Sequence, residues 1–482
     1  MVFAVPTHEI YEASSLFQVV ALCAAIDSGV VSAPGRLRTL VLCTNAPAPE
    51  LAAPLEESQI VAEASSRFTS VVSLNTLLYP LAPRDFSPRA RDMSWVRPLL
   101  SSYLGVGRGA DVVLYLESLQ SDPGLALARV FWDSKIVVHA DGLMVYGPSR
   151  TRFPASITQR VSGILYPQFV PGLEPLLLRE ASPRHIPLPL EDLKATVAGF
   201  VTEVTEAPVP GEPYALVLGQ YLSALGVLEP AEEFELSARM IAYAHERTEL
   251  LVVFKPHPSA PEPVLWRLRE FAESRGIRLH VARGGAIAEF LFHAYPPDLV
   301  VSSFSTALPT AQFGYGIPVA ALGTDLLLER LTPYENSNRV PVTIADALMG
   351  VDGAAQSYRE RYCLGPGTSE LSALINAVAY ACQPDLNPDL AEGARSFASW
   401  HMEGLPHTAH KEPQPAWRRY IKLKRARAAG IVAQAPSPST ARDLRGSRWA
   451  IGAFRQLKRL SPARRSPDLL RGPSTNNRRK QK

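Results

Sequence analysis

The chain has 482 residues, of which 46% are hydrophobic and 20% are charged, with a formal net charge of +3. This length predicts two or three domains. The near-average composition excludes a chain that is disordered throughout, and 43 prolines argue against long coiled coils and for many rigid loops.

The cysteines and the apolar stretches indicate the compartment. Four cysteines are scattered without a CxxC pair, at Cys23, Cys43, Cys363 and Cys382. We therefore expect free thiols in a reducing compartment, not a disulfide framework or a zinc ribbon. The first 15 residues lack a basic segment ahead of an apolar one, and prolines and glycines interrupt the charge-free stretch 299–324. We expect no signal peptide, no membrane-spanning helix and a cytoplasmic protein.

The first part of the chain predicts a parallel sheet with helices on both faces. After a short apolar run at 2–6, helical spacing extends over residues 12–26. Buried strands are predicted at 39–43, 71–74, 111–116 and 135–139. Alternation of strands and helices in this way is typical of α/β proteins.

A second α/β unit is predicted after a break. The proline-rich region 154–189 interrupts the alternation, and 206–213 has the composition of a domain linker. A helix at 230–246 then lies among predicted strands at 214–218, 250–254 and 298–301. Two such units in series would face each other across a cleft, where parallel sheets hold ligands at the strand C-termini.

The first candidate motif is Ala140-Asp141-Gly142, directly after a predicted strand. A carboxylate there can reach into a cleft and act as a general base toward an acceptor hydroxyl. The alternative is a plain turn, because Asp-Gly is a common turn dipeptide.

The second motif places His257 between Pro256 and Pro258, after Lys255. The prolines restrict the backbone, so the imidazole is held with little entropy to lose. A rigid histidine at a strand end suits a charge-assisted hydrogen bond to a phosphate leaving group, or proton donation to it. The alternative is a histidine that only ends a strand.

The third motif contains four hydroxyl side chains after a strand: Ser302, Ser303, Ser305 and Thr306. Running into a predicted helix, they combine side-chain donors with backbone amides at a helix N-terminus, which can bind an anion without a metal. The alternative is an ordinary N-cap cluster.

In this order, the three motifs resemble those of the bacterial polysialyltransferase-like family, which includes the CMP-sialic acid-dependent capsular polysialyltransferases. The loop Leu218-Gly219-Gln220 also resembles the start of that family's donor-binding half. The resemblance covers about residues 1–382. It implies an α/β fold of GT-B type, with two Rossmann-like, doubly wound domains facing across a cleft.

The resemblance and the linker together give three expected regions. Residues 1–205 would form the acceptor-side domain and residues 206–400 the nucleotide-sugar-binding domain. Residues 401–482 would be a basic tail, partly disordered.

The resemblance also implies an activity. Sialic acid or a related sugar would pass, with inversion, from a CMP-linked donor to a cell-surface or capsular glycan. Asp141 would be the base, and His257 would bind the CMP phosphate and help it leave. The nucleotide and phosphate would be bound by Gly219, Gln220, Lys255, Pro258, Ser302, Ser303, Ser305 and Thr306. No metal and no cofactor besides the donor is implied. Ala140 stands where the family often has a second acidic residue, so no adjacent carboxylate would tune the pKa of the base.

The charge of the chain is unevenly distributed. Residues 411–482 hold 20 Lys and Arg against 3 Asp and Glu, which leaves 29 against 43 in the remainder. Such a tail could bind an anionic polysaccharide or an anionic membrane surface, placing the protein at the inner face of the plasma membrane. It could also be a solubilising extension. We expect no specific nucleic acid partner, because no DNA-reading motif is recognisable.

Two other functions remain open from the sequence. The first is a polymerase that uses a CDP-glycerol donor, since such enzymes also use His-Pro and Ser-rich motifs. The second is a non-catalytic, degenerate transferase that acts as a scaffold on a membrane or polymer, an option that Ala140 motivates.

Overall fold

The computed structural model describes residues 7–31, 33, 35–44, 54–200, 212–257, 260–282, 287–361, 363–403 and 416–432. The chain up to Val432 forms one compact unit, built on two parallel sheets. Within the described ranges, no helix combines the length and the apolar character that a bilayer-spanning segment requires.

The first sheet has seven strands in the order β3-β2-β1-β4-β5-β6-β7. They are β1 Thr7–Ala13, β2 Leu37–Leu42, β3 Ser70–Ser73, β4 Asp111–Leu116, β5 Lys135–His139, β6 Val161–Pro167 and β7 Arg184–Leu188. All pairings are parallel. The order reverses between β1 and β4, so the carboxyl ends of these two strands flank the crevice where such sheets bind ligands.

The second sheet repeats this topology with five strands in the order β10-β9-β8-β11-β12. They are β8 Tyr214–Leu218, β9 Leu251–Lys255, β10 Leu279–Val281, β11 Leu299–Ser302 and β12 Val319–Ala321. Its pairings are also parallel, and its order reverses between β8 and β11. The loops after β8 and β11 therefore lie at the second crevice.

Helices connect the strands and cover both sheets. Around the first sheet are α1 Leu16–Asp27, α2 Gln59–Ala64, α3 Leu74–Leu78, α4 Met93–Tyr103, α5 Gly124–Val130, α6 Ala155–Thr158 and α7 Leu190–Phe200. Around the second are α8 Pro230–Thr248, α9 Glu262–Ser274, α10 Ala288–Ala294, α11 Ala307–Pro309, α12 Thr324–Arg330 and α13 Arg339–Met349. The chain continues through α14 Gly353–Arg361, α15 Ser369–Cys382, α16 Ala391–Glu403 and α17 Leu423–Ala428.

The two sheet layers contact each other through helices. Helix α10 packs against α7, and its Phe290 belongs to the apolar cluster on one face of the first sheet. Helix α13 packs against the short 3-10 turn Leu143–Tyr146, which follows β5. The loops at the carboxyl ends of both sheets are thereby brought to the same region.

The proline-rich region 154–189 holds two strands, where the sequence pattern predicted an interruption. Strand β6 ends on Pro167, and β7 contains Pro187. Strand β7 is the last of its sheet, and proline is tolerated on an edge strand because one side of that strand makes no ladder hydrogen bonds. Strand β1 also reaches Ala13, although the sequence predicted a helix from residue 12. The prediction was wrong because His8, Glu9 and Glu12 are polar but buried, so the strand does not read as an apolar run.

Part of the basic segment packs into the compact unit. Tyr420 and Ile421 are almost completely buried. The Asp346 carboxylate, also fully buried, accepts hydrogen bonds from Arg419 Nε at 2.8 Å and Nη2 at 2.6 Å, from the Tyr420 hydroxyl at 2.7 Å and from the Thr324 hydroxyl at 2.5 Å. The sequence analysis placed Arg419 and Tyr420 in the basic tail 401–482, but the structure uses both side chains to hold a buried carboxylate.

Candidate active site

The loop after β8 joins two of the predicted motifs. The Gly219 amide donates to the Lys255 carbonyl oxygen at 2.9 Å, and the Gln220 Oε1 atom accepts from the Phe304 amide at 3.1 Å. A Cβ on Gly219 would lie 2.8 Å from Cζ of Phe254 and 3.4 Å from Cα of Pro256. A glycine is therefore required where the β8 loop approaches the His-Pro motif this closely.

The Ser/Thr loop of the second sheet contacts the Asp-Gly motif of the first. The Thr306 hydroxyl oxygen accepts a hydrogen bond from the Leu143 amide at 3.4 Å. The same oxygen lies 3.2 Å from the position that a Cβ on Gly142 would occupy. A small residue at 142 thus allows the two loops to approach, and Thr306 lies beside the residues that directly follow Asp141.

Asp141 is held by a hydrogen-bonded group that the sequence did not reveal. Its Oδ2 atom accepts from Gln18 Nε2 at 2.8 Å. Gln18 Oε1 accepts from the Ser14 amide at 2.6 Å, and the Ser14 hydroxyl donates to Glu117 Oε2 at 2.6 Å. The available signal was positional, because Ser14 and Glu117 directly follow β1 and β4 at the point where the strand order reverses.

Two buried titratable groups, Glu12 and His139, lie near Asp141. Burial, with a contribution from nearby Glu117, raises the pKa of Glu12 to about 8, so this carboxyl group is neutral at pH 7. The His139 Nε2 atom donates to the Glu12 carbonyl oxygen at 2.7 Å. Burial lowers the pKa of His139, which is therefore also neutral. A small pocket next to Asp141 is lined by Gln18, His139 and Ala140, among others.

His257 follows β9 and is exposed. Its ring centroid lies 6.4 Å from that of Tyr221. Desolvation by the surrounding loops and the positive charge of Lys255 lower the pKa of His257, so its ring is neutral at pH 7. Pro258, the second proline of the motif, lies outside the described residues.

Lys255 is largely surrounded by protein. Desolvation lowers the pKa of Lys255, and the nearby Glu289 carboxyl group opposes this shift. Glu289 is itself buried, and burial raises its pKa to about 7. Lys255 therefore lies in a desolvated site, close enough to the buried Glu289 to be affected by its charge.

The four hydroxyl residues of the third motif fall into two pairs. Ser302 and Ser303 are buried: the Ser302 hydroxyl donates to the Leu218 carbonyl oxygen at 2.9 Å, and that of Ser303 donates to Met240 Sδ at 3.9 Å. Ser305 and Thr306 are partly exposed. The structure therefore uses the first pair to hold β11 in place, and only the second pair has hydroxyl groups that a ligand can reach.

The helix predicted after this motif is irregular. One α-helical turn, Ala307–Pro309, is followed by a π-helical turn, Thr310–Gly314. The Ser305 hydroxyl oxygen accepts from the Ala307 amide at 3.3 Å. Among the described residues, no group of three or more His, Cys, Asp or Glu side chains has the arrangement of a metal site.

Comparisons with known proteins address the family. The family model of the Alpha-2,8-polysialyltransferase (POLYST) family matches residues 9–324, and no curated protein matches. Among solved structures, UDP-GlcNAc 2-epimerase from Methanocaldococcus jannaschii is 12% identical, with a TM-score of 0.41, over 76% of this chain and 94% of that chain. MurG from Acinetobacter baumannii is 10% identical, with a TM-score of 0.36, over 81% of this chain and 100% of that chain.

Two observations fix the identity of the chain. Its two doubly wound parallel sheets, each with its own helices, give the α/β architecture of the GT-B fold, as the resemblance implied. The family match spans about two thirds of the sequence and includes Asp141, His257 and the Ser/Thr loop. The chain therefore belongs to the alpha-2,8-polysialyltransferase family, a family of glycosyltransferases.

Proposed function

We propose that this protein transfers sialic acid or a related sugar from a CMP-linked donor to a hydroxyl group of a cell-surface or capsular glycan. The observation that carries the proposal is the hydrogen bond between the Thr306 hydroxyl and the Leu143 amide. Through this contact the Ser/Thr loop, proposed to bind the donor phosphate, lies next to the residues that follow Asp141, the proposed base. Membership of the family supports the same reaction class.

Asp141 is the proposed base. A carboxylate oxygen takes the proton of the acceptor hydroxyl while the hydroxyl oxygen forms a bond to the anomeric carbon of the donor sugar. The bond between that carbon and the phosphate oxygen breaks, and its electron pair leaves with the CMP phosphate. A single displacement of this kind inverts the anomeric centre.

His257 is the proposed partner of the departing phosphate. The lowered pKa means that its ring is neutral before the donor binds, and a neutral imidazole donates one N–H hydrogen bond. The donor phosphate carries one negative charge, and a second develops on it as its bond to the sugar breaks. Both charges favour the protonated ring, so the pKa of His257 rises and proton donation to the leaving phosphate is promoted. The hydroxyl groups of Ser305 and Thr306 supply further donors to the same phosphate.

Release of CMP tests the proposal directly. The purified protein is incubated with CMP-sialic acid, CDP-glycerol and a UDP-linked sugar, each with a glycan acceptor. We expect release of CMP from CMP-sialic acid, and a loss of about 10²-fold or more in kcat for Asp141→Asn, since general base catalysis contributes about that much.

A matched variant controls for the loss of one carboxylate. Asp133 is exposed and pairs with Arg97 at 2.8 Å on the outside of the first sheet, so Asp133→Asn keeps normal turnover. Turnover of CDP-glycerol alone would assign the protein to the glycerophosphate polymerases. No turnover of any donor, with unchanged biological activity of Asp141→Asn, would favour the non-catalytic scaffold.

The remaining basic tail is the proposed membrane contact. Residues 433–482 contain 13 Lys and Arg against 2 Asp. Clusters of this kind bind anionic lipid headgroups by about 1 kcal/mol for each basic residue near the surface. The proposal is that this tail brings the enzyme to an anionic membrane, where its glycan acceptor is also found.

A further inference from the structure

Three neighbouring strands of the first sheet end in polar residues on the same edge. In the strand order β1-β4-β5, Ser14 follows β1, Glu117 follows β4 and Asp141 lies two residues after β5. Because the strands are parallel, their carboxyl ends meet at this edge. Glu117 is therefore the carboxylate that the fold places on the strand next to that of Asp141.

Hydrogen bonds join the two carboxylates through Ser14 and Gln18. The Ser14 amide can only donate, so the Gln18 side-chain atom that faces it at 2.6 Å is the oxygen. This contact fixes the orientation of the Gln18 side-chain amide, and its Nε2 atom donates to Asp141 Oδ2 at 2.8 Å. The Ser14 hydroxyl donates to Glu117 Oε2 at 2.6 Å, which completes the connection.

Two buried titratable groups next to this connection, Glu12 and His139, are neutral at pH 7. The Glu117 amide donates to Glu12 Oε2 at 3.2 Å, and Glu12 has a pKa of about 8. His139 on β5 is neutral because burial lowers its pKa. Asp122, which acts on Glu12, lies farther along the loop after β4. Burial and the charge of Asp141 raise the pKa of Glu117, as expected for two carboxylates that repel each other.

We propose that Glu117 is a positioning residue that supplies, from β4, the second carboxylate that Ala140 lacks beside Asp141. This inference rests on the proposed function, in which Asp141 is the base. Through Ser14 and Gln18, Glu117 holds Oδ2 of Asp141, and Oδ1 is the oxygen that receives the acceptor proton. The two carboxylates repel each other, as the raised pKa of Glu117 reflects, so the charge of one affects the titration of the other.

A titration of Asp141 tests this coupling without any substrate. In the full chain labelled with ¹³Cγ-aspartate, the Asp141 resonance is identified by its loss in Asp141→Asn. We expect the titration of Asp141 to move to lower pH in Glu117→Gln, since one neighbouring like charge is removed. Glu270→Gln, which removes an exposed carboxylate on α9, should leave that pKa unchanged. An unchanged Asp141 pKa in Glu117→Gln would overturn the inference.

The kinetics provide a second readout. We expect Glu117→Gln to lower kcat by about 10- to 100-fold with little change in KM, and to move the acidic limb of the kcat/KM pH profile to lower pH. Ser14→Ala retains the charge of Glu117, so it should lower kcat without moving the limb, and Glu117→Asp should restore the limb in part. A fall in kcat that tracks the melting temperature, with the acidic limb unmoved, would show a merely structural role.

The two readouts separate this inference from the proposed function. An active enzyme in which Glu117→Gln leaves the Asp141 pKa unchanged contradicts the inference and keeps the function. If the wild-type protein turns over no donor, but Glu117→Gln still moves the titration of Asp141 to lower pH, the coupling is supported and the proposed function is contradicted.

Discussion

At the scale of single residues, the site depends on small side chains that let loops approach. Gly142 accommodates the Thr306 hydroxyl, and Gly219 accommodates Phe254 and Pro256. Neither glycine has a positive φ angle, so both are needed for space and not for an unusual backbone. The loops that carry Asp141 and His257, the residues proposed to be catalytic, are therefore held by close packing around these glycines.

Asp141 could be proposed from its sequence, but its partners could not. An acidic residue that directly follows a strongly apolar segment can be recognised in the sequence alone. Ser14 and Gln18 have the spacing of an ordinary helix start, and the Ser15 side chain does cap α1. Glu117 lies 103 residues from Ser14, so only the strand order brings the two together.

Glu12 gives a prediction on the pH dependence of stability. Its pKa rises from 4.5 to about 8 on folding, so between these pH values the folded state holds a proton that the unfolded chain has lost. The stability that the wild-type protein has with a protonated Glu12 is thus fully present below pH 4.5, and the free energy of unfolding falls as the pH rises toward 8. Glu12→Gln keeps a neutral side chain of the same size and removes this loss.

Chemical denaturation from pH 4.5 to pH 8.5 measures the effect. The advantage of Glu12→Gln in the free energy of unfolding should grow between pH 4.5 and pH 8 by about 4–5 kcal/mol, since one pKa unit corresponds to about 1.4 kcal/mol. Parallel pH profiles for the two proteins would contradict this account of Glu12.

At the scale of elements, the strands that are buried on both faces of a sheet are the ones that could be predicted from the sequence. Strands β4, β5 and β8 read as continuous apolar runs, which is typical of the centre of a parallel sheet. Strands β10 and β12 have three residues each and lie at the edges of their sheet. Such short segments have no periodicity to recognise, so the sequence did not reveal them.

The close approach of β8 and β9 gives a prediction about Gly219. In Gly219→Ala, the added Cβ would lie 2.8 Å from Cζ of the buried Phe254 ring. We expect a loss of about 1–3 kcal/mol in the free energy of unfolding, as for other overpacked sites. We also expect a lower kcat/KM, because Pro256 and His257 must shift.

Gly199→Ala is the matched control. Gly199 lies exposed in α7, with nothing within 4 Å of the added Cβ. Alanine there should stabilise the protein by about 0.5–1 kcal/mol through its better helix propensity. Equal effects of the two substitutions on stability would show that the contact with Phe254 does not constrain the β8 loop.

At the scale of the whole molecule, long-range contacts determined what the sequence left undecided. The α/β class followed from the alternation of elements, and the GT-B fold and the family followed from the resemblance that three motifs in order carry. The division of the Ser/Thr motif into buried and accessible pairs did not, because it depends on the packing of Ser302 and Ser303 against β8 and α8. The docking of Arg419 and Tyr420 on Asp346 likewise joins residues more than 70 positions apart.

The tail can be tested by truncation. The compact unit ends at Val432, so a chain that ends there should keep the melting temperature of the full chain and the proposed release of CMP. The full chain should sediment with vesicles that contain anionic lipids, less so at high salt, and the truncated chain should not. Equal binding of both chains would contradict a role of the tail at membranes, and binding of the full chain only to a soluble anionic polysaccharide would assign the tail to the polymer.

A crystal structure of the protein with CMP tests the central claim most directly. The account predicts a phosphate oxygen within about 2.7–3.2 Å of the His257 ring nitrogen and of the hydroxyl of Ser305 or Thr306, with the Asp141 carboxylate facing the same crevice. CMP bound at another surface, or a phosphate in this loop with Asp141 closed off from it, would contradict the assignment of Asp141 and His257 to one reaction.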